Sequence, residues 1–333
     1  IAAWTWGGGW LAKTWSSMSL GAGYVDFAGS GVVHAVGGVA AFTGAIVLGP
    51  RIGKFGADGK PRTIAGHHVP MAMLGTFILL FGWFGFNAAS TFAATDVQFA
   101  VAAVNTAIAG AFGSITAMLY ITRKTGKPDP GMMINGMLAG LVAITAACAF
   151  VAPWAAAVIG VIAAILIIES VYFFERRGID DPVGAISVHG VGGLFGTLSV
   201  GIFANGSYGA GWNGSASEGV KGVIKGDWGQ LGAQALGAVT IVVVCGFMSY
   251  AFFAIQNKSV RHSHHRQMLI ALTTTVTALR ATFFSRTQVV PHVVGKYAIL
   301  NKSVALRWVT FVVDANGTPL TTHGAIVDKC DQW

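Results

Sequence analysis

Apolar residues fill windows of about 20 positions, each long enough to cross a hydrocarbon core as a helix. They lie near Phe27–Gly49, Val69–Ser90, Phe99–Ile121, Met132–Val151, Pro153–Phe174, Val183–Phe203 and Leu231–Gln256. None shows the in–out alternation of a lipid-facing barrel strand. A helix satisfies its own backbone groups in lipid, so the pattern predicts seven membrane helices and an all-α, polytopic fold.

Polar residues between the windows set the orientation. Arg51, Lys54, Lys60 and Arg62 follow the first window, Arg123, Lys124 and Lys127 the third, Arg176 and Arg177 the fifth, and Lys258, Arg261 and Arg266 the seventh. The loops at Thr91–Gln98 and Ala152 hold no Lys or Arg, and in Asn205–Gln230 Lys221 and Lys225 are balanced by Glu218 and Asp227. Basic loops alternate with neutral ones, which places the basic loops inside and the amino-terminal Trp/Gly-rich stretch outside.

Composition agrees. Of the 333 residues 54% are hydrophobic and 10% charged, against about 25% charged in a soluble domain. Glycine, at 46 residues, suits close helix packing in lipid. The net charge of +8 sits in the inner loops and does not point to nucleic acid. Cys148, Cys245 and Cys330 are too widely spaced for a zinc site or a disulfide framework. Neither a metal nor a cofactor is expected. The first residue is Ile1, and the expectation is a fragment of a longer chain.

Two stretches share the pattern D-x7-H-x-V-G-G: Asp26 to Gly38 around His34, and Asp181 to Gly193 around His189. Loop charge runs the first inward and the second outward, as in an inverted repeat whose site lies at the repeat interface near the midplane. Each aspartate stands where a carboxylate caps free N–H groups. Each histidine falls two turns deeper, where an ionisable group is costly and marks function more often than packing when two occur in matching frames. Asn87, Asn105 and Asn135 read as hydrogen-bonding ties between helices. Trp10 and Trp154 read equally as interfacial anchors or ligand contacts, and His67 and His68 as solvent-facing loop residues.

Several motifs in register resemble the ammonium transporter (Amt/Rh) family from about Trp4 to Asn257: Trp6-Gly-Gly-Gly-Trp10, both histidine motifs, Gly82-Trp-Phe-Gly-Phe-Asn-Ala-Ala-Ser90, Asn135 to Thr145, and Asp180-Asp181-Pro. The resemblance implies that the seven windows correspond to helices five to eleven of an eleven-helix inverted-repeat bundle, with the first four outside this sequence. It assigns His34 and His189 as paired pore histidines and Phe86 as a gate at the outer mouth. Trp6 and Ser90 fall on the outer cation-recruitment site, with Asp26 beneath it; Asp181, Trp83 and Asn87 take structural or capping roles. It implies ammonium or ammonia as substrate and no enzymatic activity. A homotrimer in lipid is implied, in a bacterial or archaeal plasma (inner) membrane, with a nitrogen-regulatory PII-type protein docking on the cytoplasmic face. An ammonium sensor and a neutral-gas, Rh-like channel remain alternatives. Residues 1–257 are expected to form the membrane domain, and 258–333, with the cluster Arg261-His-Ser-His-His-Arg266, a tail that departs from the family and reads as frameshifted or misjoined.

Overall fold

The computed structural model describes residues 1–66, 68–215 and 218–259 and two strands, 294–300 and 306–312. His67, the His262–His265 cluster and the window Leu269–Ala281 lie outside them. The chain divides into two units, Ile1–Ser285 and Arg286–Trp333.

The first unit holds seven apolar helices: α1 (Ser30–Leu48), α2 (Val69–Asn87), α3 (Val97–Thr125), α4 (Pro130–Ile144), α5 (Pro153–Arg176), α6 (Ile186–Phe203) and α7 (Trp228–Ser259). All but α4 are long and apolar enough to cross a membrane. The starts follow from local chemistry. Asp96 and Asp129 accept backbone N–H bonds at the N-caps of α3 and α4, and Pro130 and Pro153 occupy first-turn positions that need no donor.

The helix expected to continue to Val151 stops at Ile144. Competing bonds explain the difference. Thr145 Oγ1 donates back to the Leu141 carbonyl, and Ser30 Oγ accepts the Ala146 N–H. The Thr145 and Ala146 carbonyls accept from Ala28 and Phe27. Asn105 Nδ2 donates to the carbonyls of Cys148 and Val151, 2.8 Å each. The buried turn Thr145–Val151 is thus satisfied by side chains and neighbouring segments, as membrane depth requires.

Small residues set the helix spacing. A Cβ on Gly113 would fall 2.3 Å from the Gly136 carbonyl oxygen, and one on Gly140 or Gly160 would fall 2.1 or 2.4 Å from that of Ala109. The backbones of α3, α4 and α5 therefore meet almost directly. A buried cluster of Ala117, Ile121, Ala164 and Ile168 continues the seam toward the inner end.

At that end Arg51, from the loop after α1, donates through Nε, Nη2 and its backbone N–H to Asp180, beyond α5. Lys54 pairs with Glu175. Burial alone would raise the Asp180 carboxyl; the Arg51 bonds more than offset it and hold it below its ordinary value.

In the second unit β1 (Val294–Leu300) pairs antiparallel with β2 (Leu306–Val312), Val294 opposite Val312 and Leu300 opposite Leu306. The all-helical expectation thus holds for the membrane part, and the strands belong to the tail.

Candidate functional site

The two repeats fold alike at their first turns. Asp26 and Asp181 are each followed three residues later by a glycine in the left-handed region, Gly29 at φ +117° and Gly184 at φ +72°. The chain then enters a π-helix, Ser30–Ala35 or Ile186–Val191, before continuing as an ordinary helix. Asp26 Oδ2 accepts the N–H groups of Gly31 and Val32 at 2.9 and 2.8 Å. Asp181 Oδ2 accepts those of Ile186 and Ser187, the same two positions after the aspartate, at 2.9 and 3.2 Å. Asp26 Oδ1 adds Gly29 and Ser30, so four free N–H groups of α1 are satisfied by one buried carboxylate. Short π segments recur at functional sites. Burial outweighs the backbone bonds at Asp181, outside the span, and raises its carboxyl to about 6.

The two π segments each deliver a histidine to the point where α1 and α6 cross. A Cβ on Gly38 would fall 1.9 Å from the backbone nitrogen of Gly190, and one on Gly193 would fall 2.5 Å from the Ser30 carbonyl oxygen. The glycines of the motif are what permit this approach. His34 Nδ1 then lies 3.1 Å from His189 Nδ1, with the rings stacked at 5.2 Å and 24°.

A hydrogen bond between two Nδ1 atoms requires one to donate and the other to accept. In a neutral pair the two imidazoles are therefore opposite tautomers, and their outer Nε2 atoms offer one donor and one acceptor. Passing a proton across the pair exchanges those roles. His34 Nε2 is buried and without a hydrogen-bond partner.

Aromatic rings frame His34. Trp83 stacks on it at 5.2 Å and 14°, and Phe86 lies at 5.6 Å and 52°. Trp83 is held by its indole N–H on Thr145 Oγ1 at 3.1 Å, so the break in α4 also fixes the ring against the histidine. Ser90 Oγ donates to the Phe86 carbonyl, and Asn87 Nδ2 to Thr106 Oγ1, tying α2 to α3. Trp6 donates its indole N–H to the Asp26 carbonyl at 2.7 Å, beside Gly29.

The structure thus gathers His34, His189, Trp83 and Phe86 into one cluster. Trp6 and Asp26 meet one another above it, and Ser90 joins through the Phe86 carbonyl. Both lone-pair faces of the Asp26 carboxylate are occupied by backbone donors, so its contribution to a cation site goes through the helix it caps.

Sequence reasoning passed over three supports. Gly29 and Gly184 stand at the same offset in both repeats, a signal that aligning the two motifs displays. Thr145 had no such signal. Neither did Gln230 and Gln234, buried one turn apart on α7. Gln234 accepts the Val25 N–H at 2.8 Å and donates to its carbonyl at 2.6 Å; Gln230 does the same for the Ala22 N–H and the Gly23 carbonyl at 2.8 Å each. The two amides pair with the segment before Asp26 as a neighbouring strand would.

Comparison with known proteins agrees with this architecture. A sequence model described as the Ammonium Transporter Family matches residues 1–269. Ammonium transporter Amt2 of Archaeoglobus fulgidus is 47% identical over 270 residues, covering 80% of this chain and 57% of that protein. Ammonium transporter Amt1 of Haloferax mediterranei is 42% identical over 219 residues, 62% of this chain and 42% of that protein. Among solved structures, one named "Sensor Amt Protein" superposes with a TM-score of 0.67 at 40% identity, covering 76% of this chain and 58% of that one. Mep2 of Candida albicans superposes at 0.66 and 33% identity, covering 78% and 54%. The chain spans about half the length of the curated relatives it matches.

Proposed function

The chain belongs to the ammonium transporter family, and from that premise we propose that it forms the histidine-bearing part of a path that carries ammonium or ammonia across a membrane. The observation that carries this reading is the His34–His189 pair, 3.1 Å apart at the crossing of two helices with matching caps.

Chemistry joins the pair to the substrate. A whole ammonium ion is costly to bury without a partner, whereas neutral ammonia is not. Aromatic faces hold a cation outside the hydrocarbon, worth about 0.5–2 kcal/mol according to desolvation. We assign that recruiting role to the region of Trp6 and Ser90, and the gate to Phe86 above the His34 ring. Ammonium gives up a proton at the mouth; ammonia then passes the two imidazoles, whose outer nitrogens offer a donor and an acceptor. Potassium has no proton to give up, which accounts for selectivity. Nothing in this path makes or breaks a covalent bond other than to a proton.

The chain is a multi-pass membrane protein. We place it in a plasma (inner) membrane as a homotrimer, with a PII-type protein as the cytoplasmic partner. Residues 1–257 form the transporting domain in this reading, and the tail takes no part in it. The sensor alternative has one specific support, the 40% identical structure named "Sensor Amt Protein".

The test uses proteoliposomes loaded with a pH-sensitive dye and holding the chain extended by the family's first four helices. An ammonium gradient is expected to change the internal pH faster than in empty liposomes, and H34A/H189A is expected to alter that rate. Ammonium binding without any flux would instead favour the sensor.

A further inference from the structure

The inner ends of α3 and α5 carry a charge pattern that the transport path does not use. On α3, Tyr120, Arg123 and Lys124 share one face, and Lys127 follows where the helix gives out after Thr125. On α5, Glu169, Tyr172, Phe173 and Arg176 follow the same spacing and share one face.

Side-chain contacts join the two faces. Tyr120 donates its hydroxyl to Glu169 at 2.8 Å, and Lys124 pairs with the same carboxylate. The Lys124 ammonium lies 4.5 Å from the Tyr172 ring centroid and 5.7 Å from that of Tyr120. This knot fixes two parallel helix ends side by side, so Arg123 and Lys127 stand next to Arg176 and Arg177.

Every carboxylate at this end is already engaged. Glu169 is held by Lys124 and Tyr120, Glu175 by Lys54 and Asp180 by Arg51. Asp129 caps α4, and Asp181 caps α6. Arg176 adds only a longer-range pull on Glu169. Arg123, Lys127, Arg176 and Arg177 are all exposed, and no ion pair among the described residues includes them. Arg177 lies 4.9 Å over the half-exposed Phe173 ring.

From this juxtaposition we propose that the inner ends of α3 and α5 form a binding site for the phosphate headgroup of an anionic phospholipid. The aromatic band of Tyr120, Tyr172 and Phe173 sits at the level where such rings meet headgroups. The cations lie one turn beyond it, where the phosphates are. Basic side chains close to an anionic leaflet each strengthen attachment about fivefold. Guanidinium groups also grip phosphate through two parallel N–H donors, so three of the four groups are the kind best suited to that ligand.

The test counts lipids retained by the purified full chain, in native mass spectrometry from detergent, titrated with dioleoylphosphatidylglycerol or dioleoylphosphatidylcholine. We expect the glycerol lipid to be retained in clear preference. R123Q/K127Q/R176Q is expected to weaken that retention roughly a hundredfold, from about fivefold per basic group removed. K221Q/K225Q, at the opposite end, is expected to change nothing. Far-ultraviolet circular dichroism checks that the variants keep their helices, and the wild-type preference stands as a test without them. Equal retention of both lipids by the wild type would overturn the proposal. So would preference surviving the triple substitution, or loss of the bound lipid to millimolar inorganic phosphate, which would mean a site for free phosphate. Selective capture of an acidic cytoplasmic protein, with no lipid preference, would reassign the patch to a protein partner.

Discussion

Gly37 and Gly38 are adjacent in the same motif, and the same change at each is expected to have opposite signs. A Cβ at Gly38 would lie 1.9 Å from the Gly190 nitrogen and 2.2 Å from its Cα, whereas one at Gly37 meets nothing within 4 Å. Both obstructing atoms at Gly38 are backbone, so no rotamer change relieves the clash; α1 and α6 must part by more than an ångström. Overpacking a core costs typically about 1–3 kcal/mol, and a backbone obstruction puts Gly38→Ala at or above the top of that range. Gly37→Ala removes the conformational freedom that glycine loses on folding and gains about 0.5–1 kcal/mol. Thermal unfolding in one detergent, followed by tryptophan emission, measures both. Separation of the helices also lengthens the 3.1 Å contact between His34 and His189, so G38A is expected to change the imidazole ¹⁵N signals while G37A leaves them unchanged. Equal stability of the two variants would refute the assignment of the crossing to these glycines.

Two further perturbations follow from the supports of the site. Gln234→Ala leaves the Val25 N–H and the Val25 and Thr197 carbonyls without their partner; at about 1–3 kcal/mol per buried group left unsatisfied, a loss of about 3 kcal/mol or more is expected, with faster hydrogen exchange at Val25, and a loss below 1 kcal/mol would contradict the strand-like pairing. Asp181, raised to about 6 from an ordinary 3.8, contributes stability that is fully present below about pH 4 and lost as pH rises through about 6; subtracting the D181N melting profile from that of the wild type between pH 4 and 7 is expected to reveal this slope, and a flat difference would mean that its carboxyl is not raised.

Much of this organisation is written in local pattern. Apolar runs and loop charge suffice for the spans because a lipid environment forces helices and selects loop sign. The histidine pair could be anticipated because Asp26 and Asp181 stand eight residues before His34 and His189 in otherwise apolar stretches. The premature end of α4 could not. Its cause is a set of bonds to Ser30, Phe27, Ala28 and Asn105, all distant in sequence, and an apolar run does not reveal that its backbone has found partners elsewhere. The same holds for Gln230 and Gln234, whose polarity inside an apolar helix signals a buried partner but not which one. Trp83 reads as structural from sequence; its stacking on His34 depends on Thr145, 62 residues away.

The central claim is that the paired imidazoles form part of an ammonium-selective path. Its most direct test is the current evoked by ammonium and by potassium on a supported membrane, recorded for the chain extended by the family's first four helices and for the same protein carrying H34A or H189A. The account predicts a current with ammonium and none with potassium, and loss of either the current or its selectivity in each variant. An ammonium current that keeps its size and selectivity without both histidines would contradict it.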